Sequence, residues 1–522
     1  MNDFDIEALS LKEKIGQLIV FGFDATSIND HAVRLIENER VGNVILFARN
    51  VASPHQLFRL NKAIQKHMRK TTGIPAIICI DQEGGMVTRI KQGATFFPGA
   101  MTIAASHNPS NSFRLGRYMG EQLKALGINM NLAPSLDINN NPHNPVIGVR
   151  SFGDTPEIVT EYGLAYIRGL QESIIATAKH FPGHGDTSVD SHLDLPKVDK
   201  PLEELKNMEL KPFKAAVDDG IKAIMSSHIN FPALTEKGFP ATLSSACLTD
   251  VLRDDWNYRG LIITDCMQMQ AIQANYTTKE GALMAIEAGA DLICVSHSEK
   301  LQTETARHIM NAVKTGRISE NVIDNRVRRV LRHKENLALH NPNQTYADVK
   351  SIVEDAEAKH FALNVVSEAM TQVRGEVPDK DKRTLLIASQ PSLTSIADEE
   401  AGGTTIIQAV HDALPKFDTE TVSVTPNEKE IDELDQKAKS YEQVILCTYN
   451  ANIYENQQAL IRRLNHHERL HVIAMRNPYD SLFVNDINHL ALLYEYTPNS
   501  VKILIEYLSG ELKPRGIAPV KL

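Results

Sequence analysis

The stretch Ala176 to Gly183, ATAKHFPG, decides the fold. Small and apolar residues lead into two polar side chains, Lys179 and His180, and then into a Pro-Gly turn. A run that is apolar on both faces marks a strand buried in a parallel sheet, and its polar end is where α/β barrels keep their chemistry. Seven more runs share this form: QLIVFGF from Gln17, VGNVILF from Val41, AIICID from Ala76, INMNLAP from Ile128, AIMSSHI from Ala223, LIITDC from Leu261 and DLICVS from Asp291. Eight strands alternating with helix-like segments predict a (β/α)8 TIM-type barrel, favoured over a doubly wound sheet by the count of eight. Asp81, Asp137, Lys179, His180, His228 and Asp265 all stand at strand ends, where a barrel builds its active site.

The chain has 522 residues, too many for one core, so a second domain is expected. A helix begun by Ser319 and Glu320 closes the barrel, with Ile323, Val327, Val330 and Leu331 inward and Arg326, Arg328 and Arg329 toward solvent. Ala347 to Val373 then reads as one long helix, with Ile352, Ala356, Phe361, Val365 and Ala369 available for packing, and GEVPDKDKR (Gly375 to Arg383) as a polar linker. Strand signals resume at TLLIAS from Thr384, TTIIQAV from Thr404, QVILCTYN from Gln443, RLHVIAM from Arg469 and HLALLYEY from His489. The expected plan is a catalytic barrel over 1–340, a helical linker over 341–383 and a smaller three-layer α/β/α sandwich domain over 384–522. The sandwich carries neither GxGxxG nor GxxxxGK[ST], so no nucleotide motif supports a site there.

Composition narrows the function classes. A net charge of −10 has the wrong sign for gripping a phosphate backbone, which argues against a nucleic-acid partner. No apolar run approaches the roughly 18 residues of a membrane span, and the acidic start MNDFDIEALS is unlike a signal peptide, so a cytoplasmic protein without membrane contact is expected. The five scattered cysteines read as reduced thiols. Aromatics make up 6% of the chain and the single Trp256 reads as packing, which suits a small pocket better than a long groove for an extended chain.

The densest chemistry lies in KHFPGHGDTSVDSHLDLP, Lys179 to Pro196, with three His and three Asp. Asp190 stands two residues before His192, close enough to orient the ring and raise its basicity as an acid/base pair. A metal site on His180, His184 and His192 competes with this reading, although the HxH expected after the first strand of a metal-dependent barrel hydrolase is missing. Asp265 is the best-placed nucleophile, as retaining glycosidases require. Cys266 reads as packing, because the next residue along a strand faces the other way.

DQEGG (Asp81 to Gly85), NPVIGVRSFG (Asn144 to Gly153), KHFPGHGDTSVDSH (Lys179 to His192), PATLS (Pro240 to Ser244) and ITDCMQM (Ile263 to Met269) together resemble glycoside hydrolase family 3, in its β-N-acetylglucosaminidase branch. The resemblance covers residues 1 to about 340 and is weaker beyond. It implies a glycosyl-enzyme on Asp265, proton transfer by His192 oriented by Asp190, and a sugar subsite lined by Asp81, Arg150, Lys179 and His180. It further implies a retaining exo-enzyme for short glycans such as muropeptides or chitooligosaccharides, with no metal or organic cofactor. Phosphorolysis on the same residues and a non-catalytic sugar binder are the alternatives within the resemblance. Met86 and Cys266 depart from the family pattern and are expected to alter the pocket rim. The oligomeric state is not legible.

Overall fold

The computed structural model describes residues 4–187, 195–236, 238–335, 337, 343–389 and 405–522. Strands β1 (Ile19–Phe21), β2 (Asn43–Leu46), β3 (Ile77–Ile80), β4 (Met130–Asn131), β5 (Ile175–Phe181), β6 (Ala223–Ser226), β7 (Leu261–Thr264) and β8 (Ile293–Val295) fall on the eight expected runs in order. Neighbours pair in parallel, and β8 returns to β1 with Ile19 opposite Ile293. Only a bridge between Ile263 and Leu292 joins β7 to β8, so the barrel is nearly closed.

That seam rests on Asp291, which is fully buried. Its backbone N–H donates to Ile262 O at 2.8 Å, and its carboxylate accepts from Ile262 N at 2.9 Å. Arg253 and Arg329 neutralise it at 2.6 and 2.7 Å. The expectation that Arg326 and Arg329 face solvent is therefore corrected. A buried carboxylate needs cations beside it, and Arg329 turns inward to supply one. Arg326 is drawn in as well, and burial pulls its pKa down to about 10. Arg328 alone of the three is exposed.

The second unit is a six-stranded sheet of order β11-β10-β12-β13-β14-β9. Its strands are β9 (Thr371–Arg374), β10 (Thr384–Ser389), β11 (Phe417–Val422), β12 (Gln443–Thr448), β13 (Leu470–Ala474) and β14 (His489–Leu492), with β9 antiparallel at one edge. Alternation along β10 sends Leu385 and Ile387 to one face and Leu386 and Ala388 to the other. Helices Glu428–Ala438 and Glu455–Leu464 cover the first face, and Ala356–Ala369, Ile406–Ala413 and Pro498–Leu508 the second. This is the three-layer α/β/α arrangement expected.

Two element assignments change. TTIIQAV is not a strand: Thr405 caps a helix by accepting from Gln408 N at 3.2 Å, and Ile406 and Val410, four apart, are buried. The long helix expected over Ala347 to Val373 is two, Tyr346–Val353 and Ala356–Ala369, parted where Asp355 caps the second, and the chain then enters β9. Ile352 consequently points out, 42% exposed, while Val353 is buried. The second sheet thus takes a strand from the stretch read as a linker, and residues 338–342, around the expected boundary at 340, lie outside the described residues. Among the described residues, no helix is long and apolar enough to cross a membrane. Trp256 packs edge-to-face on Phe181.

Barrel and sandwich meet through specific polar contacts. Asn139 donates to Tyr479 OH at 2.6 Å, and Asn452 donates to Pro142 O at 2.7 Å. Glu495, fully buried just past β14, accepts from Gly99 N (2.8 Å) and Thr102 Oγ1 (2.7 Å) at the start of barrel helix Ala100–Ala105. Burial raises its pKa against these donors. Met86 is buried in the same interface, with Tyr496 N directed at its sulfur at 3.4 Å. It is therefore not a rim residue of the barrel mouth as expected. Glu495→Ala strands buried donors and should lower unfolding free energy by about 1–3 kcal/mol in urea titration, with Glu495→Gln losing less.

Candidate active site

The C-terminal ends of the barrel strands open into a cavity of about 580 Å³, well suited to a sugar-sized ligand. Asp81, Arg150, Lys179, His180 and Asp265, five of the seven residues singled out in the sequence, line it. Asp190 and His192 lie outside the described residues.

One ionic chain forms much of the wall. Lys179, 2% exposed, places Nζ 2.8 Å from Asp81 Oδ1 and 2.6 Å from Glu83 Oε1. Arg150 grips Glu83 with two N–H donors at 2.9 and 2.7 Å, and a further donor reaches Val146 O at 3.2 Å. Burial alone would raise the Glu83 pKa, but the Arg150 and Lys179 charges hold it well below the usual carboxylate range. Burial likewise disfavours the Lys179 ammonium, and Asp81 and Glu83 reverse this and raise its pKa. Glu83 and Lys179 are thereby held in their charged forms, and the chain presents fixed donors and acceptors to the cavity.

Lys179 and His180 are consecutive in β5, yet both line the cavity. Simple alternation does not hold here, because the pairing with β6 shifts register between Ala178 and Phe181. Asp137, 0% exposed, accepts from His180 Nδ1 at 2.7 Å, from His180 N at 3.1 Å and from His184 N at 2.6 Å. Burial would raise the Asp137 pKa, but the His180 ring and these donors lower it. His180 is thereby fixed in one orientation, its Nε2 left for ligand. His184 Nδ1 meets Thr187 Oγ1 at 2.8 Å, and the two rings lie 5.7 Å apart. In the competing metal reading, His180 and His184 are thus each committed through Nδ1, and His192 lies outside the described residues.

The quoted motifs hold one another in place. In NPVIGVR, Asn144 accepts from Val146 N and Ile147 N, and donates to His184 O and Gly185 O at 2.8 and 2.9 Å. Only glycine fits at 185, since a Cβ there would stand 1.6 Å from Ile138 O. Thr242 of PATLS meets His228 Nδ1 at 2.9 Å, and His228 Nε2 meets Cys266 O at 3.1 Å, steadying the turn after β7. On that turn Asp265 accepts from Cys266 N at 2.7 Å. Strand β7 ends at Thr264, so alternation no longer governs Cys266, which also lines the cavity and is not simply packing. Burial keeps its thiol protonated by raising the pKa.

Several residues of the site escaped the sequence reading, Arg89 beside Asp81 among them. Glu83 stands two positions after Asp81 in DQEGG, a spacing that puts both carboxylates on one lysine. Asp137 was placed at a strand end without a role, and its hydrogen bonds to His180 and His184 assign one.

The chain matches the model of the glycosyl hydrolase family 3 N terminal domain over residues 10–333. It is 30% identical over 391 residues to beta-hexosaminidase A of Pseudoalteromonas piscicida, covering 70% of this chain and 65% of that protein. A solved glycoside hydrolase family 3 beta-N-acetylglucosaminidase from a Paenibacillus species superposes with a TM-score of 0.91 at 38% identity over 99% of both chains. A beta-glucoside phosphorylase structure shares the fold, with a TM-score of 0.83 at 22% identity over 99% of this chain and 95% of that one.

His184 supplies a test of the wall itself. Burial and the neighbouring His180 lower its pKa to about 4, so between pH 6.5 and 4 the unfolded chain takes up a proton that the native state refuses. Stability therefore falls as pH drops through this window, by about 2 kcal/mol at pH 5 from this group. Urea titrations at pH 7.5 and 5 should show a smaller acid loss in His184→Gln; equal losses in both proteins would refute the assignment.

Proposed function

The chain belongs to glycosyl hydrolase family 3, and we propose that it is a retaining exo-β-N-acetylglucosaminidase that releases terminal β-linked N-acetylglucosamine from short glycans. The observation that carries this reading is the convergence of Asp265 with Asp81, Arg150, Lys179 and His180 on one cavity of about 580 Å³. The names of the β-hexosaminidase relatives and of the Paenibacillus enzyme support the substrate class.

In this reading a terminal sugar lies with its hydroxyls against Asp81, Arg150, Lys179 and His180. These groups are ordered before the sugar arrives, so binding costs little reorganisation. A sugar lacking a matched hydroxyl leaves a charged group unpaired, which gives strong discrimination. Asp265 attacks the anomeric carbon as the bond to the aglycone oxygen breaks, and that oxygen takes a proton from His192. The covalent glycosyl-Asp265 ester is then hydrolysed by a water whose proton returns to His192, and two inversions give net retention. Asp190 orients the His192 ring. The chain enters residues 188–194 from Thr187, tied to His184, and leaves them where Lys197 pairs with Asn230 just past β6. Both anchors lie at the cavity end of the barrel, which supports an acid/base role for this segment. Water as the acceptor makes the reaction a hydrolysis, whereas phosphate would release a sugar 1-phosphate.

Hydrolysis of p-nitrophenyl β-N-acetylglucosaminide should exceed that of the β-glucoside and β-xyloside, with the β-anomer of the product appearing first by NMR. Preference for either other sugar would overturn the substrate class. Repeating the assay in phosphate buffer should yield free sugar and no sugar 1-phosphate. Asp265→Asn should lower kcat by about three orders of magnitude or more, since an amide is not a nucleophile. His192→Ala should slow an unactivated disaccharide far more than the nitrophenyl glycoside, whose leaving group needs no proton; equal losses on both would remove His192 as the acid.

A further inference from the structure

Outside the barrel mouth, one group of side chains has metal-ligating chemistry that the catalytic reading does not use. Asp435 lies on helix Glu428–Ala438, and His466 and His467 lie in the turn after helix Glu455–Leu464. The two helices lie on the same face of the sandwich sheet. One ligand atom from each residue can be chosen so that all three lie within 4.8 Å of one another. Asp435 Oδ1 is 2.6 Å from His466 Nε2 and 4.0 Å from His467 Nε2.

We propose that Asp435, His466 and His467 bind a divalent transition-metal ion, zinc foremost, at the surface of the C-terminal sandwich. Two imidazoles and one carboxylate are a borderline-soft donor set that suits zinc, nickel or copper rather than calcium or magnesium. Metal–ligand bonds of about 2.0–2.2 Å place ligand atoms of a tetrahedral site roughly 3.3–3.5 Å apart. The Asp435–His466 separation must open and the Asp435–His467 one close, each by less than about 1 Å, and the two imidazole nitrogens, which lie within 4.8 Å, must take the same spacing through rotation of their rings. His467 gives an independent indication: its Nε2 is buried and has no hydrogen-bond partner among the described residues, although it points toward the Asp435 carboxylate. A shared cation satisfies that nitrogen and takes the place of the His466 N–H whose hydrogen bond Asp435 accepts at 2.6 Å.

Lys439 Nζ, 3.5 Å from Asp435 Oδ2, is the competing cation. Its side chain is half exposed on a flexible stem, so it can swing away into water. An open groove lined by His466, His467, Glu442 and Glu468, together with Lys382 and Arg469, admits solvent, which leaves the remaining position to water. Bound there, the ion clips helix Glu428–Ala438 to the turn leading into β13, far along the chain from the Asp265 turn.

The test uses the full chain, stripped with EDTA and titrated with ZnCl2 or NiCl2 by isothermal calorimetry, with thermal unfolding in parallel. We expect one ion per chain at micromolar affinity and a raised Tm, with both effects lost in His466→Ala/His467→Ala. Asp435→Asn should weaken binding, and His466→Gln, at an exposed position, removes the imidazole while keeping a hydrogen-bonding side chain beside Asp435. Hydrolysis by the stripped variants should equal that of the stripped parent. Absence of calorimetric binding, or binding undiminished in both histidine variants, would overturn the proposal.

Discussion

The mouth of this barrel depends on an ammonium group sealed between two carboxylates. Lys179 leaves β5 at 2% exposure and meets Asp81 and Glu83, both in the turn after β3, while Arg150, from the segment after β4, clamps Glu83 from the other side. Taking one such charge out of water is expensive, and only the partners make it tolerable. Removing any single member strands the others at a cost of about 3–5 kcal/mol, so three strand ends are locked to one geometry. The donors and acceptors that face the cavity are by-products of that lock, fixed before any ligand arrives.

The remaining parts extend this preorganisation outward. Asp137 fixes His180, Asn144 staples the His184–Gly185 backbone, and His228 steadies the turn bearing Asp265. The second unit takes part from behind. Gly148, two residues before Arg150, has φ of 45° and sits so close to Asn477 that a Cβ would stand 2.4 Å from its Oδ1. With Asn139 bonded to Tyr479 and Glu495 capping barrel backbone, the sandwich braces the loop that delivers Arg150. Its contribution to the site is thus support of the wall.

Legibility followed burial. The eight barrel strands were readable because strands covered on both faces are continuously apolar and end in polar groups at the mouth. The edge strand β11, FDTETV, is buried only at Phe417 and Val422, so it gave no apolar run, while TTIIQAV imitated a strand through two adjacent isoleucines that belong to a capped helix. Arg326 and Arg329 were misread because helical spacing cannot see Asp291 arriving from β8. In the site, side chains at strand tips were legible by position. Glu83 was not, since it lies three residues past β3, and Cys266 was misjudged by carrying the alternation rule beyond the end of β7.

The wall chain of Asp81, Lys179, Glu83 and Arg150 carries two negative and two positive charges and sums to zero. Arg89, 4.0 Å from Asp81 and lining the same cavity, adds a further positive charge beside that balanced set. For anyone redesigning this enzyme, the wall is a coupled unit in which a single charge reversal unbalances the other three. Arg49, Gln268 and His297 line the same cavity as a second coupled group, with Arg49 meeting His297 Nδ1 at 3.2 Å and Gln268 accepting from His297 N at 2.7 Å, so a change at one is felt by the others.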